Sequence, residues 1–293
     1  MKQGKFKLIG YPLSHSLSPF IHERLFQLSK KNSIYDLYAI SKQDFDANVE
    51  DLLENDGFNV TIPYKTDIIK HLDKLDEKAR LYNAVNTVDC RGTGSNIGYN
   101  TDCYGLFKGL EELGTSLSDG PVLLLGAGGA AHMIASETVL VGSPLTIAVR
   151  EGSLQKAELL RSQLLNISAA APVQLVDINH ISGTYNLLIN ATPCGMFPKS
   201  SECPVTEDVV KNCAYVYDLI YNPTETQLIQ LARKNNIPAA NGISMLVWQA
   251  VYAHKIWYQA NFRLEDIEQL ITDAQEMVNT QFVSKISDRA TQI

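Results

Sequence analysis

A lysine and an aspartate in the first third of the chain have side chains suited to proton transfer. Lys65 ends the run Asn59–Lys65, which predicts a strand leading into a helix, and Asp102 precedes another predicted helix. We expect Lys65 in the first helical turn, where a cation opposes the helix dipole and its presence indicates function. Such a pair can exchange one proton with a substrate hydroxyl. The alternatives are a surface lysine and a helix-capping aspartate, and spacing alone does not show that the two side chains meet.

Two serines stand just before another predicted helix. Ser16 and Ser18 are two residues apart, so both hydroxyls are available for a substrate carboxylate or hydroxyl, and Pro19 suits the first helical position. Ser18 is equally consistent with a simple helix cap.

A glycine-rich turn begins the second half of the chain. The strand-like run Val122–Leu125 leads into the turn, and a helical pattern follows over Ala131–Leu140. A strand that ends in glycines and leads into a helix lets backbone N–H groups approach a pyrophosphate, which predicts a dinucleotide site. The alternative is a turn that merely requires glycine. The predicted phosphate-binding residues are Gly126, Ala127, Gly128, Gly129 and Ala130.

The end of the next strand bears on which dinucleotide binds. An acidic residue there favours the ribose 2′-hydroxyl of NAD, and a basic residue favours the 2′-phosphate of NADP. Here Arg150 is followed by Glu151, and Lys156 lies early in the next helix. The signal is mixed, and Glu151 and Lys156 are also consistent with solvated surface charges.

The elements that position these residues alternate between strand and helix. Strands are predicted at Phe6–Ile9, Ile34–Ile40 and Phe58–Ile62, with a helix after Ser18 whose face carries Ile21 and Leu25. Such alternation predicts an α/β layer with a largely parallel sheet.

After the glycine turn the alternation continues as a βαβ ladder of the dinucleotide-binding kind. A helix capped by Ser244 and an amphipathic helix at Leu264–Val278 are predicted to follow. The predicted elements of the ladder are strands at Leu145–Val149, Val173–Val176, Leu187–Asn190 and Tyr215–Ile220, with a helix at Leu154–Leu165.

Composition bounds the remaining possibilities. The 293 residues include 25 basic and 32 acidic side chains, a formal net charge of −7, and are 45% hydrophobic. This length accommodates one large or two medium domains with a real core, and the composition excludes a disordered chain. The acidic balance argues against nucleic acid or a membrane as partner. The five cysteines form no C-x-x-C pair and the histidines no H-E-x-x-H motif, so we expect no metal. We also find no signal-type or membrane-spanning segment, and expect a cytoplasmic protein.

Several blocks in combination resemble the shikimate dehydrogenase family, including its shikimate/quinate relatives. They occur in the family's order and cover about the first 250 residues. The blocks are G-Y-P-L-S-H-S-L-S-P at 10–19, N-V-T-I-P-Y-K at 59–65, A-V-N-T at 84–87, N-T-D at 100–102, G-A-G-G-A-A at 126–131, N-A-T-P at 190–193, Y-D-L-I-Y-N-P at 217–223 and N-G-I-S-M-L-V-W-Q-A at 241–250.

The resemblance implies two α/β domains with a cleft between them. Residues 1–105 would form the N-terminal substrate-binding domain, residues 106–242 a Rossmann-like NADP-binding domain, and residues 243–293 C-terminal helices that pack back on the first domain. It implies reversible NADPH-dependent reduction of 3-dehydroshikimate to shikimate, a step of chorismate and aromatic amino acid biosynthesis. The implied partners are this small-molecule substrate and NADP, without nucleic acid or membrane, in a monomer or homodimer.

The resemblance also implies roles for individual residues. Lys65 and Asp102 would be the catalytic pair, Ser16 and Ser18 would bind the substrate carboxylate, and Gly242 would line the cofactor site with the glycine turn and Arg150. The residues expected around the ring hydroxyls, or near the nicotinamide and substrate, are Thr61, Lys65, Asn86, Asp102, Tyr221 and Gln249.

One segment departs from the family. NADP-using members carry Asn-Arg-Thr at the end of the second Rossmann strand, whereas this chain has Val149-Arg150-Glu151. We expect NADP because the arginine is kept, with NAD as the alternative because an anion replaces the phosphate-binding threonine. A quinate/shikimate dehydrogenase with relaxed or NAD preference is therefore a rival. A non-catalytic metabolite sensor is a second rival, although Lys65 and Asp102 argue against it.

Overall fold

The first compact unit of the protein is built around a mixed six-stranded sheet. The computed structural model describes residues 3–13, 16–92 and 94–290, with side chains as far as 280. Ser14 and His15, which belong to the first family block, lie outside the described residues. The elements within residues 4–99 are β1 (Gly4–Gly10), α1 (Ser18–Leu28), β2 (Ser33–Ala39), α2 (Phe45–Leu53), β3 (Gly57–Val60), a 3-10 helix (Asp67–His71), β4 (Lys74–Leu75), α3 (Glu77–Tyr82), β5 (Thr87–Asp89) and β6 (Ile97–Tyr99).

The strand order of this sheet is β2-β1-β3-β5-β6-β4. Strands β1, β2 and β3 run parallel, as the alternation of strands and helices predicted. Strands β4 and β6 are also parallel, and only β5 runs antiparallel to its neighbours β3 and β6, so the sheet is parallel-dominated with one reversed strand. This reversal places the end of β3 and the start of β5 side by side, which brings together residues distant in sequence.

Two expectations about this unit's local structure were wrong. Helix α1 begins at Ser18 with Leu17 at the cap position, and the Leu17 side chain makes no capping bond, so Ser18 is not the N-cap. Ser16 Oγ instead accepts a hydrogen bond from the Ser18 N–H at 3.2 Å. Lys65 lies in a turn before the short 3-10 helix, not in the first turn of an α-helix, so the dipole argument does not apply to it.

The second compact unit contains an all-parallel sheet of six strands. The order is β12-β11-β10-β7-β8-β9, which is the doubly wound order of dinucleotide-binding folds. Its elements are β7 (Val122–Leu125), α5 (Gly129–Leu140), β8 (Leu145–Val149), a 3-10 helix (Glu151–Ser153), α6 (Leu154–Ile167), β9 (Val173–Asp177), β10 (Tyr185–Asn190), α7 (Glu207–Lys211), β11 (Cys213–Asp218), α8 (Gln227–Lys234) and β12 (Ala239–Ala240).

The remaining elements are long helices. Helix α4 (Asp102–Leu113) lies between the two sheets in the sequence, and α9 (Ile243–Tyr258) and α10 (Leu264–Ala290) follow the second sheet. Ser244 is not the cap of α9, because the helix already begins at Ile243 and Asn241 Oδ1 accepts the Ile243 N–H at 3.0 Å. None of the helices in the described ranges is both long enough and apolar enough to cross a bilayer.

The division into units follows contacts rather than sequence order. The first unit comprises Met1–Gly105 and Leu246–Ala274, and the second comprises Leu106–Met245 and Gln275–Ile293. The last part of α10 therefore groups with the second unit, where Thr224 Oγ1 donates to Asn279 Oδ1 at 2.5 Å. This differs from the expectation that all of residues 243–293 pack on the N-terminal domain.

Candidate functional site

The lysine and aspartate that were predicted to share a proton are in direct contact in the first unit. Lys65 Nζ lies 2.6 Å from Asp102 Oδ2, and both side chains are part-buried, with 31% and 19% of their surface exposed. Lys65 is held by the turn after β3, and Asp102 is the first residue of α4. A charged pair that is shielded but still reachable from solvent can exchange a proton with a bound substrate.

Asn86 fixes the other oxygen of the aspartate. Its Nδ2 donates to Asp102 Oδ1 at 2.8 Å and to Thr101 Oγ1 at 2.9 Å, and its Oδ1 accepts the Thr101 N–H at 2.7 Å. The carboxylate is thus held at one oxygen by Lys65 and at the other by Asn86. This leaves little freedom for Asp102 to turn away from Lys65.

Gln249 joins the same cluster from α9. Its Oε1 lies 3.4 Å from Asn86 Nδ2 and 3.5 Å from Thr101 Oγ1, at the long end of hydrogen-bond distances. Its Nε2 donates to Leu246 O within the helix at 2.9 Å. This bond within the helix holds the Gln249 amide group so that its oxygen faces Asn86.

A buried polar network under this cluster was not predicted from the sequence. Asn59 Nδ2 donates to Thr87 Oγ1 at 2.9 Å, and the Thr87 hydroxyl reaches Asn86 Oδ1 at 3.1 Å and Thr101 Oγ1 at 3.2 Å. Asn59 and Thr87 are register partners across β3 and β5, and both are buried. Satisfied networks of this kind rigidify a site. The missed signal was a polar residue inside a strand otherwise made of apolar residues.

Tyr35 extends the network toward α1. Its hydroxyl donates to Asn59 Oδ1 at 2.7 Å. Burial raises the pKa of Tyr35 well above its usual value and outweighs the lowering effect of the nearby Ser18 side chain, so the hydroxyl keeps its proton. Ser18 on α1 therefore lies near the buried side chains that support the Asp102 cluster.

Ser16 and Thr61 are held in two loops of the first unit. Ser16 is half-buried in the loop between β1 and α1, where its N–H donates to Leu13 O at 3.4 Å. Thr61 directly follows β3, and its N–H donates to Ile9 O at 2.9 Å. Thr61 O accepts the Tyr64 N–H at 3.0 Å, which shapes the turn that carries Lys65.

Two buried histidines lie behind Tyr35. His22 stacks on the Tyr35 ring at a centroid distance of 4.0 Å, and His22 Nδ1 is 3.1 Å from His254 Nε2 on α9. Burial lowers the pKa of His254 to about 3, and burial followed by the nearby His254 lowers the pKa of His22 well below its usual value. The pair is therefore neutral at physiological pH, with one imidazole donating to the other.

The glycine turn of the second unit presents backbone rather than side chains. Gly126 has φ +105°, a conformation that favours glycine, and a Cβ added at Gly128 or Gly129 would meet only open space. Helix α5 begins at Gly129, and no side chain caps its first N–H groups. Free N–H groups on an accessible turn suit a pyrophosphate, so the turn formed by Gly126 to Ala130 fits a dinucleotide.

Arg150 directly follows β8, and its side chain is close to the loop after β10. Its guanidinium lies 3.8 Å from Cys194 Sγ, and Cys194 Sγ is 3.9 Å from Glu202 Oε2. Glu151 and Lys156 are both exposed, in the 3-10 helix and in α6 respectively. The Arg150 guanidinium can therefore bind a 2′-phosphate, whereas the nearby carboxylates of Glu151 and Glu202 would repel one.

Tyr221 and Gly242 lie close to each other at the end of β11. The Gly242 N–H donates to Ile220 O at 3.1 Å, next to Tyr221. A Cβ at Gly242 would lie only 2.1 Å from Leu219 O, so only glycine fits there without a shift of backbone. Burial raises the pKa of Tyr221, which keeps its phenol neutral.

The chain is similar to known proteins in sequence and in structure. Residues 8–88 match the sequence profile described as the shikimate dehydrogenase substrate binding domain. The chain is 38% identical over 259 residues to the shikimate dehydrogenase (NADP(+)) of Caldanaerobacter subterraneus subsp. tengcongensis, which covers 86% of this chain and 90% of that protein.

Solved structures are similar over nearly the whole chain. A crystal structure of a shikimate dehydrogenase in complex with NADP+ superposes with a TM-score of 0.83 at 34% identity, covering 92% of this chain and 95% of that one. The shikimate 5-dehydrogenase of Listeria monocytogenes, in complex with shikimate and NAD, gives a TM-score of 0.81 at 29% identity, covering 92% and 96%.

Proposed function

The chain belongs to the shikimate dehydrogenase family, and we propose that it catalyses the reversible NADPH-dependent reduction of 3-dehydroshikimate to shikimate. This oxidoreductase reaction is a step toward chorismate and the aromatic amino acids. The observation that carries the proposal is the contact between Lys65 and Asp102, which supplies the proton-transfer group that the reaction needs. A protein that only sensed a metabolite would not need this pair.

Lys65 and Asp102 act as one proton-transfer unit. NADP, when bound, supplies the hydride chemistry, and the protein orients the reactants and handles the proton. Lys65 Nζ exchanges a proton with the oxygen of the reacting carbinol or carbonyl group. Asp102 holds the lysine charged and oriented, and Asn86 holds the aspartate. Loss of either anchor would let the lysine leave its position.

The remaining polar residues of the first unit bind the rest of the substrate. Ser16 and Ser18 bind the carboxylate, and Thr61, Asn86 and Gln249 surround the ring hydroxyls. The donors and acceptors of Asn86 and Gln249 are already oriented by neighbours, so a triol meets preformed partners. The family resemblance alone assigns Tyr221, which belongs to the second unit, to the substrate and nicotinamide.

The two units divide the binding work between them. Residues 1–105, with Gln249 from α9, form the substrate domain, and residues 106–242 form the cofactor domain. The profile match over residues 8–88 and the bond between Asn86 and Gln249 support the first assignment. The parallel sheet and its glycine turn support the second.

NADP is held by backbone and by one cation. The turn from Gly126 to Ala130 receives the pyrophosphate, Arg150 binds the 2′-phosphate, and Gly242 lets the chain approach the nicotinamide. Relaxed preference, with NAD also used, is the second candidate, because Glu151 adjoins Arg150 and Glu202 lies near it through Cys194. These carboxylates weaken a site for a 2′-phosphate by charge repulsion.

We further assign the protein to the cytoplasm, as a monomer or homodimer. The five free cysteines support a reducing compartment. Size-exclusion chromatography with light scattering distinguishes the two oligomeric states.

The test of the proposed function is an initial-rate assay of purified protein by NADPH or NADH absorbance. Shikimate and quinate are each paired with NADP and NAD, and 3-dehydroshikimate is reduced in the reverse direction with the product identified by mass. We expect shikimate oxidation with NADP to be the most efficient reaction. Comparable rates with quinate, or with NAD as the cofactor, would favour a quinate/shikimate dehydrogenase with relaxed preference. Tight shikimate binding without any turnover contradicts the proposal and favours a sensor.

A further inference from the structure

A completely buried carboxylate lies at the end of β11, among the loops of the second unit. Asp218 has no exposed surface and was not among the residues expected to bind substrate or cofactor. Three neutral donors reach it: Asn190 Nδ2 at 2.9 Å and the Ile220 N–H at 3.1 Å to Oδ1, and Thr226 Oγ1 at 2.7 Å to Oδ2. A buried charge persists only where such bonds compensate its lost hydration.

One donor connects Asp218 to the loop after β10. Asn190 Oδ1 accepts the N–H of Thr192 at 3.0 Å and its hydroxyl at 2.7 Å, and Asn190 Nδ2 also reaches Cys194 O at 3.3 Å. This loop touches the glycine turn, because a Cβ on Gly126 would lie 3.0 Å from Thr192 Cγ2. The position of the loop therefore limits the space at the proposed pyrophosphate site.

The other donors connect Asp218 to the far side of the proposed cofactor site. Ile220, whose N–H binds the carboxylate, accepts the Gly242 N–H through its carbonyl and precedes Tyr221. Thr226 caps α8 by accepting the Ile229 N–H while its hydroxyl donates to Asp218. One carboxylate thus ties together three segments at the carboxyl edge of the sheet, where cofactors bind in this fold.

We propose that Asp218 is a positioning residue for the cofactor and that its ionised form holds these loops in the arrangement that binds NADP. The inference rests on the proposed function in one respect, that NADP binds at this edge. Asp218 is completely buried, so it would act through these loops and not by touching substrate or cofactor.

The charge of Asp218 changes within an accessible pH range. Burial raises its pKa to about 6, against the lowering effect of its bonds from Thr226, Ile220 and Asn190. Its titratable neighbours are the Cys194 and Cys203 thiols, whose pKa values burial raises, so both stay neutral in this range. Arg150 and Glu202 face Cys194 rather than Asp218. Protonation below about pH 6 removes one acceptor from the three donors.

The test is the dissociation constant for NADP, measured by titration calorimetry without substrate from about pH 5 to about pH 8.5. Asp218→Asn mimics the protonated acid, so we expect it to bind NADP about tenfold more weakly than wild type at pH 8. Wild type should approach the variant below about pH 6, so that their ratio falls toward one. Taking the ratio cancels titration of the phosphate of NADP itself.

The matched control is Asp119→Asn. Asp119 is also a carboxylate with several bonds from Ser116 and Thr115, but it precedes β7 at the opposite edge of the same sheet. We expect it to leave the NADP dissociation constant within about twofold of wild type at every pH. Equal binding by wild type and Asp218→Asn at pH 8, or a difference that persists unchanged to pH 5, would overturn the inference.

A second pair of variants keeps the test decisive if Asp218→Asn folds poorly. Thr226→Val removes one donor to Asp218, whereas Thr226→Ser keeps the hydroxyl, so only the valine variant should lose affinity, by about fivefold. Wild-type affinity in both variants would contradict the inference. Turnover of wild type decides the proposed function separately, because these titrations do not depend on catalysis.

Discussion

The proposed substrate region is lined by side chains, whereas the proposed cofactor turn presents backbone. In the first unit Asp102 contacts both Lys65 and Asn86 directly, and Asn86 rests on a buried polar network. In the second unit Gly126–Ala130 offers N–H groups with open space above Gly128 and Gly129. A small ring with several hydroxyls is recognised by donors and acceptors at fixed places, whereas a pyrophosphate is recognised by close approach of backbone. The two regions should therefore respond to different kinds of mutation.

Removing the proton-transfer group should have the largest effect on chemistry. Lys65→Ala should lower kcat by about 100-fold or more, as expected for loss of an acid–base group, with a smaller change in KM for shikimate. Steady-state rates check this expectation. Lys70→Ala is the control, because Lys70 is exposed and pairs with Asp46, and its kcat should stay near that of wild type. An unchanged kcat in Lys65→Ala would remove Lys65 from the mechanism.

Adding one carbon at Gly242, in the backbone-lined region, should weaken the binding of NADP. Gly242→Ala forces a Cβ to within 2.1 Å of Leu219 O, so the backbone must shift, and we expect NADP affinity to fall by about tenfold, or about 1.4 kcal/mol. Calorimetric titration of NADP measures the effect. Gly152→Ala is the control, since a Cβ there meets open space. Wild-type affinity in Gly242→Ala would show that the strand end adjusts freely.

Replacing the anion beside Arg150 should alter cofactor preference without altering substrate binding. Glu151→Thr should raise the ratio of kcat/KM for NADP to that for NAD about tenfold, or about 1.4 kcal/mol of differential binding. Glu158→Thr, on the exposed face of α6, is the matched control. If the ratio stays constant in Glu151→Thr, the Glu151 carboxylate faces solvent rather than the 2′-phosphate.

The buried histidine pair should make the substrate unit sensitive to acid. Because the folded-state pKa of His254 is lowered to about 3, the unfolded chain binds a proton below about pH 6.5 that the folded protein does not. Stability is therefore full above that pH and falls as pH decreases, by roughly 2 kcal/mol between pH 6.5 and 5 for this residue.

The test compares unfolding free energies of wild type and His254→Phe over that range. The difference between them should shrink as pH falls, because the variant has no imidazole to protonate at this position. Asp218 acts in the opposite direction, since its raised pKa favours the folded state as pH falls through about 6, but it is common to both proteins. His180→Asn, an exposed histidine, is the control. Parallel pH curves for wild type and His254→Phe would contradict the prediction.

The elements that were predicted well are those whose sequence signal is local. Strands β7 and β8 match their predicted bounds, because each is an apolar run set off by proline, glycine or charge. Strand β5 has only three residues and its antiparallel pairing with β3 and β6 depends on distant contacts, so this reversed strand was not predicted. The placement of Ser18 and Ser244 inside their helices reflects the same limit, since helix ends depend on tertiary context.

The candidate site divides in a similar way. Residue types and motifs indicated Lys65, Asp102 and Asn86, but only the folded sheet shows that Lys65 and Asp102 meet across 37 residues. Asn59, Thr87 and Tyr35 were missed because their role lies in contacts with one another, which no spacing rule encodes. Asp218 was missed for the same reason, although the motif that contains it was recognised.

Proton chemistry and cofactor binding should be carried by separate sets of residues. Titration of NADP into Lys65→Ala without substrate, compared with wild type, tests this separation. We expect dissociation constants within about twofold of each other, although the variant has lost its turnover. Binding of NADP weakened by about tenfold or more would mean that Lys65 serves the cofactor, and would contradict the division between the two regions.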